Sequence, residues 1–298
     1  MVEDVNTRPL GLSQLLAPLG LKRFFAEHWQ QRPLRLALPP DIFQNILAAV
    51  GPLEIPRMVP LAARGCQAWL NNRYVAHSVF TVDAAEAQEF YDAGATLYFL
   101  DVPLPSLTNA VADSLGAPRD RVLASLFLTP PNAGAAPHFD KNENFTVQLT
   151  GRKRWHVGDA PALKNAPEGH ICGRPLGAPL DELRAQVVDP PRSWIELAAG
   201  SLLYVPRGVV HGTEAGEASW SLNLSYTRLM WVELICEELK YELAKLPEWR
   251  ESVAGVGTGS DKEAQRMNPV PGLIAQLQKI LEQDIAVKFA PPRSDKTT

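Results

Sequence analysis

His138 and Asp140 stand two residues apart in the stretch PHFDKNENFTVQLTGRKRWHV, positions 137–157. Along an extended segment, side chains at i and i+2 leave the same face, so this imidazole and this carboxylate can reach one point. Such a pair is half of a 2-His-1-carboxylate site, which holds a divalent metal on one side and leaves positions open for substrate or oxygen. The chain has six histidines, so a His-x-Asp pair arises readily by chance and gains meaning only with a third ligand and a cavity. The stretch AGSLLYVPRGVVHGTEAG, positions 199–216, offers that ligand. Gly200 starts a tight turn, Leu202–Val205 reads as an apolar strand, Pro206-Arg207-Gly208 turns again, and His211 opens the next element. A histidine just past a strand and a turn is well placed at the mouth of a barrel. The other histidines fit less well. His28 falls in a helical stretch, His77 and His170 in irregular ones, and His156 on the apolar end of a strand, so each reads as a surface or packed residue.

Two strand-like runs carry a further signal. Asn144, Thr146 and Gln148 alternate with Phe145, Val147 and Leu149, and Ser219, Ser221, Asn223 and Ser225 alternate with Trp220, Leu222, Leu224 and Tyr226. Each run has one apolar face and one polar face without charge. Strand surfaces against water usually carry Lys, Glu and Arg, whereas neutral hydrogen-bonding groups suit a hydrated cavity that holds a polar ligand. An outer face that merely lacks charge is the competing reading, and it loses weight because both runs agree. Lys153 then acquires a role. With Thr150-Gly151 as a two-residue hairpin turn, Leu149 pairs with Arg152 and Gln148 with Lys153, which puts Lys153 on the polar face beside Asn144 and Thr146. An ammonium inside a cavity needs an anion, and none of the nearby polar residues is acidic, so a ligand carboxylate would supply it. A three-residue turn would instead leave Lys153 an ordinary surface lysine.

The elements that must position these groups follow from periodicity. The first fifty residues read as helical, over Leu12–Leu16, Leu21–Trp29 and Asp41–Val50, with Pro39-Pro40-Asp41 as a stop followed by an N-cap. Asp83–Ala93 reads as a helix capped by Asp83 and Glu86, followed by a strand at Thr96–Leu100 and a helix at Leu104–Leu115 ended by Gly116. From Val122 to Tyr226 short β-like runs recur between Gly and Pro: Val122–Thr129, Asn144–Leu149, Lys153–Val157, Trp194–Leu197, Leu202–Val205 and Ser219–Tyr226. That texture indicates a sandwich or a double-sheet jelly roll. Beyond it, Val232, Ile235, Cys236, Leu239, Leu243 and Leu246 share one face of a helix over Leu229–Leu246, and Leu273, Leu277, Ile280 and Leu281 mark a second over Pro271–Val287. These amphipathic helices either pack on the β core or form a homodimer interface. AGVGTGSD at 254–261 reads as a link and PPRSDKTT as a frayed tail. The organisation predicted is a helical and mixed region at 1–94 packed on a jelly-roll core at 95–228, then helices at 229–290 and a tail at 291–298.

Composition narrows the class. Hydrophobic residues make up 46% of the 298 and charged residues 21%, as in ordinary soluble globular proteins. No apolar run approaches the length of a membrane span, and Met1–Gly11 lacks the basic start and apolar core of a signal peptide, so no membrane partner is expected. Cys66, Cys172 and Cys236 are widely spaced and odd in number, which points to a reducing, cytoplasmic setting and against a disulfide framework or a cysteine metal site. A net charge of −4 gives no general pull toward nucleic acid, and Arg152-Lys153-Arg154 is too short a run to change that.

The strings HFDKNENFTVQLTGRKRWHVG, GSLLYVPRGVVHG and SLNLSY resemble the JmjC and cupin-4 families of Fe(II)- and 2-oxoglutarate-dependent oxygenases. Among these, the pattern is nearest the protein hydroxylases, both asparaginyl and ribosomal. The resemblance covers about residues 95–226, and FFAEHWQQRPLRL is similar to the segment that opens such proteins. It implies a mainly β double-stranded β-helix with N-terminal and C-terminal helices around it. By position, His138, Asp140 and His211 match the iron ligands. Lys153, thirteen residues after Asp140, matches the lysine that pairs with the distal carboxylate of 2-oxoglutarate. Asn144 and Asn223 match polar residues near the metal-binding end of that cosubstrate. Three departures stand out. Glu143 takes a position where many relatives carry Asp, Ala135 replaces a Thr that helps hold the distal carboxylate in the asparaginyl hydroxylase, and the C-terminal region shows no clear winged-helix pattern. The implied activity is hydroxylation of a side chain of a protein or peptide substrate by O2, with release of succinate and CO2. Three protein ligands leave three positions on an octahedral metal, two for the 2-oxo acid and one for O2. Action on a small molecule or RNA base, demethylation of N-methyl-lysine, and a non-oxidative metal-binding cupin remain as alternatives. Lys153 speaks against the last, where it has no evident partner.

Overall fold

The alternation read along two runs decides how the chain packs. In β7 (Glu143–Thr150) and β13 (Ser219–Tyr226), Phe145, Val147, Leu222 and Leu224 face a hydrophobic core, while Asn144, Thr146, Ser221 and Asn223 face a cavity. The structure, a computed structural model, describes residues 10–70, 78–171, 194–251, 270–285 and 288. His77, Cys172, the glycine-rich 254–261 and the tail at 291–298 lie outside the described residues.

The chain divides into two units, Met1–Arg228 and Leu229–Thr298. The first is built on two antiparallel sheets. The larger runs in the order β1 (Leu34–Ala37), β11 (Ser201–Val205), β7, β13, β5 (Val122–Thr129), β4 (Thr96–Phe99), β2 (Cys66–Leu70), β3 (Ser78–Val82). The smaller runs β10 (Trp194–Ala198), β8 (Arg152–Val157), β12 (His211–Ala215), β6 (Gly134–Phe139), β9 (His170–Ile171). From β5 through β8, and again from β10 through β13, successive strands alternate between the sheets. This is a jelly roll, one of the two architectures that the short strands indicated.

One expectation is overturned. Thr150-Gly151 does not close a hairpin, because β7 pairs with β11 and β13 while β8 pairs with β10 and β12. The chain crosses from one sheet to the other at Gly151, so Lys153 never lies beside Gln148. It reaches the interior through the alternation of β8 itself, where Lys153, Trp155 and Val157 are buried and Arg152 and Arg154 are exposed. Gly151 has φ +65°, and a Cβ there would meet the Ala218 carbonyl oxygen at 2.3 Å.

The outer face of the larger sheet carries the main core. Helices α1 (Leu12–Leu15), α2 (Leu21–Glu27), α3 (Pro40–Val50) and α6 (Pro105–Leu115) contribute Leu12, Leu15, Phe24, Ile46, Leu107 and Val111 to it. Phe24 meets Tyr204 edge-on at 4.9 Å and lies 5.9 Å from Phe145. Burying one such side chain contributes about 1.5–3 kcal/mol. A smaller cluster of Trp155, Val157, Leu197, Leu203, Val205 and Val209 joins the two sheets.

The N-terminal residues depart from the helical reading. Leu34–Ala37 forms β1, zipped to β11 with Leu34 opposite Tyr204, and β2 and β3 extend the far side of the same sheet. Four and five residues are too few to show a period, and each strand is defined by its distant partner. Pro39, rather than Asp41, caps α3, leaving Asp41 in its first turn. Helix α5 (Ala84–Asp92) has the Asp83–Glu86 capping box as read, and α6 ends at Gly116 in the left-handed conformation.

In the second unit, α7 (Trp231–Ala244) buries no residue fully and leaves Trp231, Val232 and Tyr241 exposed. A further helix, α8 (Val270–Ile280), is tied through Gln276 Oε1, which accepts from Trp249 Nε1 at 2.8 Å. Among the described residues no helix is long and apolar enough to cross a membrane.

Gly151→Ala should lower the unfolding free energy by about 2–4 kcal/mol, the sum of a left-handed backbone and a clash with Ala218. Urea denaturation reads this directly, and an unchanged midpoint would show that the crossing tolerates a side chain.

Candidate active site

β6 and β12 are neighbours in the smaller sheet, and the register sets His138 opposite His211. Their pairing is close, since a Cβ on Gly134 would lie 1.9 Å from the Thr213 carbonyl oxygen. Asp140 follows the last residue of β6. His138 Nε2 lies 3.9 Å from Asp140 Oδ1, and His211 Nε2 lies 3.5 Å from Asp140 Oδ2. One potential ligand atom from each of the three falls within 4.8 Å of the others. His138 Nδ1 is 2.7 Å from the Ala136 carbonyl oxygen, and His211 Nδ1 is 3.0 Å from that of Val209. A carbonyl can only accept, so Nδ1 of each ring carries a proton and Nε2 is the nitrogen left to face a metal. The donor set therefore fits a divalent cation held on one face.

The electrostatics agree. Burial raises the Asp140 carboxyl, yet the hydrogen bond from His211, the charges of both histidines and the Asn144 amide hold it below the usual carboxylate range. Burial pushes the His211 ring down, while the hydrogen bond and charge of Asp140 and the Val209 carbonyl bring it up on balance. Beneath Asp140, Asn144 Nδ2 donates to Oδ2 at 2.6 Å, and Asn223 and Ser225 donate in turn to Asn144 Oδ1.

Across the interior, Lys153 is 3% exposed. Its Nζ donates to Ser221 Oγ at 3.1 Å and sits 6.0 Å from the centroid of the Phe127 ring. Among the described residues no carboxylate forms an ion pair with it, and burial lowers its pKa from 10.5 to about 7. Thr96 Oγ1 and Thr129 Oγ1 are buried without a partner on the same cavity wall. Tyr98 stacks on Phe127 at 4.3 Å, with Trp69 edge-on to both. The space between the sheets is about 760 Å³, open solvent at its mouth included.

All six residues singled out by sequence, His138, Asp140, His211, Lys153, Asn144 and Asn223, line this one cavity. Ala135 lines it too, without a hydroxyl. Ser221 was legible as cavity-facing from the alternation of β13, but its contact with Lys153 spans 68 residues and two sheets. Thr96, Thr129, Tyr98, Phe127 and Trp69 were missed. Only the alternation of β5 carried any signal for Phe127 and Thr129. Glu143 faces away from the cavity into the core, where Tyr204 donates to its Oε2 at 2.6 Å and burial raises its carboxyl. Its place is structural, joining β7 to β11.

A jelly roll whose smaller sheet brings two histidines and an aspartate together in a polar cavity defines the class as cupin-like, with a facial-triad site. Residues 108–234 match a family model of the JmjC domain. It resembles ribosomal oxygenase 1 of Danio rerio, at 26% identity over 306 residues covering 92% of this chain and 53% of that one. A stretch of 110 residues is 40% identical to the bifunctional lysine-specific demethylase and histidyl-hydroxylase NO66 of Drosophila erecta, covering 34% of this chain and 15% of that one. The chain thus spans about half the length of the first relative and a small part of the second. Among solved structures, the ribosomal oxygenase YcfD of Escherichia coli in complex with cobalt and 2-oxoglutarate matches with a TM-score of 0.51 at 20% identity, over 90% of this chain and 66% of that one.

The buried ammonium has a cost that depends on pH. Below about pH 7 the folded protein must carry Lys153 charged in a dry site, and the cost fades as pH rises toward the unfolded value of 10.5. Without added dicarboxylate, Lys153→Met should therefore be more stable than the wild type by up to a few kcal/mol at pH 6–7. Thermal melts across pH 6–10 should show the advantage shrinking as pH rises. Equal stability at pH 6 would mean that Lys153 is better solvated than its burial indicates.

Proposed function

We propose that this protein is an Fe(II)- and 2-oxoglutarate-dependent oxygenase that hydroxylates a side chain of a protein or peptide substrate, releasing succinate and CO2. The single observation that carries the reading is a buried lysine, without a carboxylate partner among the described residues, in the same cavity as a His-Asp-His triad. His138, Asp140 and His211 hold the iron through two Nε2 atoms and a carboxylate oxygen. Lys153 and Ser221 receive the distal carboxylate of 2-oxoglutarate, where the anion offsets the desolvation of the ammonium. Asn144 and Asn223 stand at the metal-proximal end. Iron and cosubstrate, when bound, couple decarboxylation of 2-oxoglutarate to oxidation of a substrate C–H bond by O2. The chain's own part is geometry and dryness. The backbone carbonyls of Ala136 and Val209 lock both rings, and the apolar cluster around Trp155 and Val205 keeps water from one side of the site.

The relatives named as ribosomal oxygenases and as a histidyl-hydroxylase support a protein substrate. In this reading residues 95–228 are the catalytic core, 1–94 complete it, and the exposed apolar residues of α7 within 229–290 serve a homodimer. The exposed free thiol of Cys236 suits a reducing cytoplasm.

The test is anaerobic reconstitution with Fe(II), followed by exposure to O2 and assay of succinate from 2-oxoglutarate with and without lysate peptides. Succinate should form with the wild type and disappear with His138→Ala or Asp140→Ala. A folded, iron-loaded protein that forms none, coupled or uncoupled, would overturn the oxygenase reading. Binding of 2-oxoglutarate must also keep Lys153 protonated. Its Kd should rise up to about tenfold per pH unit above pH 7, because each unit costs one more factor of ten in the charged form. Calorimetry at pH 7 and pH 9 measures this, and a constant Kd would place the carboxylate elsewhere.

A further inference from the structure

Asp140 is the only charged acceptor in a run of neutral side chains that all donate toward it. Thr146 Oγ1 donates to Asn223 Oδ1 at 3.1 Å, and Asn223 Nδ2 donates to Asn144 Oδ1 at 3.2 Å and to Ser225 Oγ at 2.9 Å. Ser225 Oγ donates to Asn144 Oδ1 at 2.8 Å, and Asn144 Nδ2 donates to Asp140 Oδ2 at 2.6 Å. Thr146, Asn144 and Asn223 are all buried, at 3%, 5% and 8% exposure. Each amide is oriented by its neighbours. If Asn144 were flipped, its carbonyl would face the Asp140 carboxylate and its NH2 would face that of Asn223, which are two repulsive contacts.

We propose that Thr146, Asn223, Ser225 and Asn144 form a one-way hydrogen-bond chain that holds the Asp140 carboxylate in its metal-ligating orientation, with Thr146 and Ser225 as positioning residues. The inference rests on the reading of His138, Asp140 and His211 as a metal site. Two physical arguments carry it. Hydrogen bonds in series polarise one another, so the last one, onto a charged oxygen, is strengthened by those behind it. A carboxylate with one oxygen engaged by a fixed amide also has fewer orientations to lose when a cation arrives. The donor order makes the chain specific, because an acceptor alone at position 225 or 146 would break it. Thr146 and Ser225 lie three and two hydrogen bonds from the Asp140 carboxylate, so an effect of their loss on the metal must travel through Asn144.

The experiment uses the full chain and Co(II) as probe, with no turnover required. Affinity is read by titration, and ligand geometry by the visible absorption of bound Co(II). The wild type is compared with Ser225→Ala, Thr146→Val, Ser225→Thr, Asn144→Ala and the double variant Asn144→Ala/Ser225→Ala, each with its urea midpoint. Ser225→Ala and Thr146→Val should weaken Co(II) binding about 10–100-fold and shift its absorption bands, and Ser225→Thr should restore both. Adding Ser225→Ala to Asn144→Ala should cost little more, since the chain is already broken. A wild type that binds no Co(II), or a His138→Ala control that binds as tightly, removes the metal-site reading itself. Tight wild-type binding with unchanged Ser225→Ala and Thr146→Val overturns the chain alone, as do fully additive losses in the double variant. Should one variant fail to fold, the Ser225→Thr comparison and the second position still decide between these outcomes.

Discussion

An interior that holds a carboxylate, two imidazoles and an ammonium cannot also be the hydrophobic core, and most of this fold follows from that conflict. The larger sheet resolves it by turning its neutral polar side chains toward the smaller sheet and its apolar ones outward. An apolar outer face then has to be covered, and the helices before β5 do this, with Phe24, Ile46 and Leu107 taking the place that a second sheet holds in an ordinary sandwich. The N-terminal residues are therefore part of the site's support although none of their helices reaches the cavity. Tyr204 shows the coupling. Its ring packs on Phe24, and its hydroxyl donates to Glu143 and accepts from the Gln30 amide. Removing those helices would expose the back of the very strands that carry Asn144 and Asn223.

The polar interior is ordered by charge as well as by shape. At the His138–Asp140–His211 end, an anionic carboxylate lies among groups that favour its charge. At the Lys153 end the reverse holds, because among the described residues the buried ammonium has a hydroxyl and an aromatic face beside it but no carboxylate. A site that is satisfied at one end and wanting an anion at the other selects a ligand with two different ends. Charge alone does this, before any question of fit, and it costs stability in the empty protein.

Local features were legible in the sequence and non-local ones were not. His138 and Asp140 share a face because of strand geometry over three residues, and the two-faced character of β7 and β13 is written in their alternation. The supposed hairpin at Gly151 failed for the opposite reason. Which strand pairs with which is settled by contacts tens of residues away, and a single crossing residue looks like a tight turn when read locally. Lys153 still pointed inward because the parity of β8 decides that, not its neighbour. β1, β2 and β3 escaped notice because each is four or five residues long and takes its identity from a distant partner.

Ala135 is where the resemblance and the structure inform one another most. The resemblance sets a hydroxyl at this position, on the smaller sheet, to assist the lysine with the distal carboxylate. Here the side chain is a methyl, and the hydroxyl that meets Lys153 is Ser221, on the larger sheet. Thr129 adds a buried hydroxyl without a partner on that same sheet, two positions along β5 from Phe127, whose ring faces the ammonium. In the proposed reading the distal carboxylate is therefore gripped from two sides, with its cation supplied by the smaller sheet and its hydroxyl by the larger. A grip that spans both sheets ties cosubstrate binding to the spacing between them. A partner held by Lys153 from one sheet and Ser221 from the other then stabilises the pairing of the whole roll, not one strand of it.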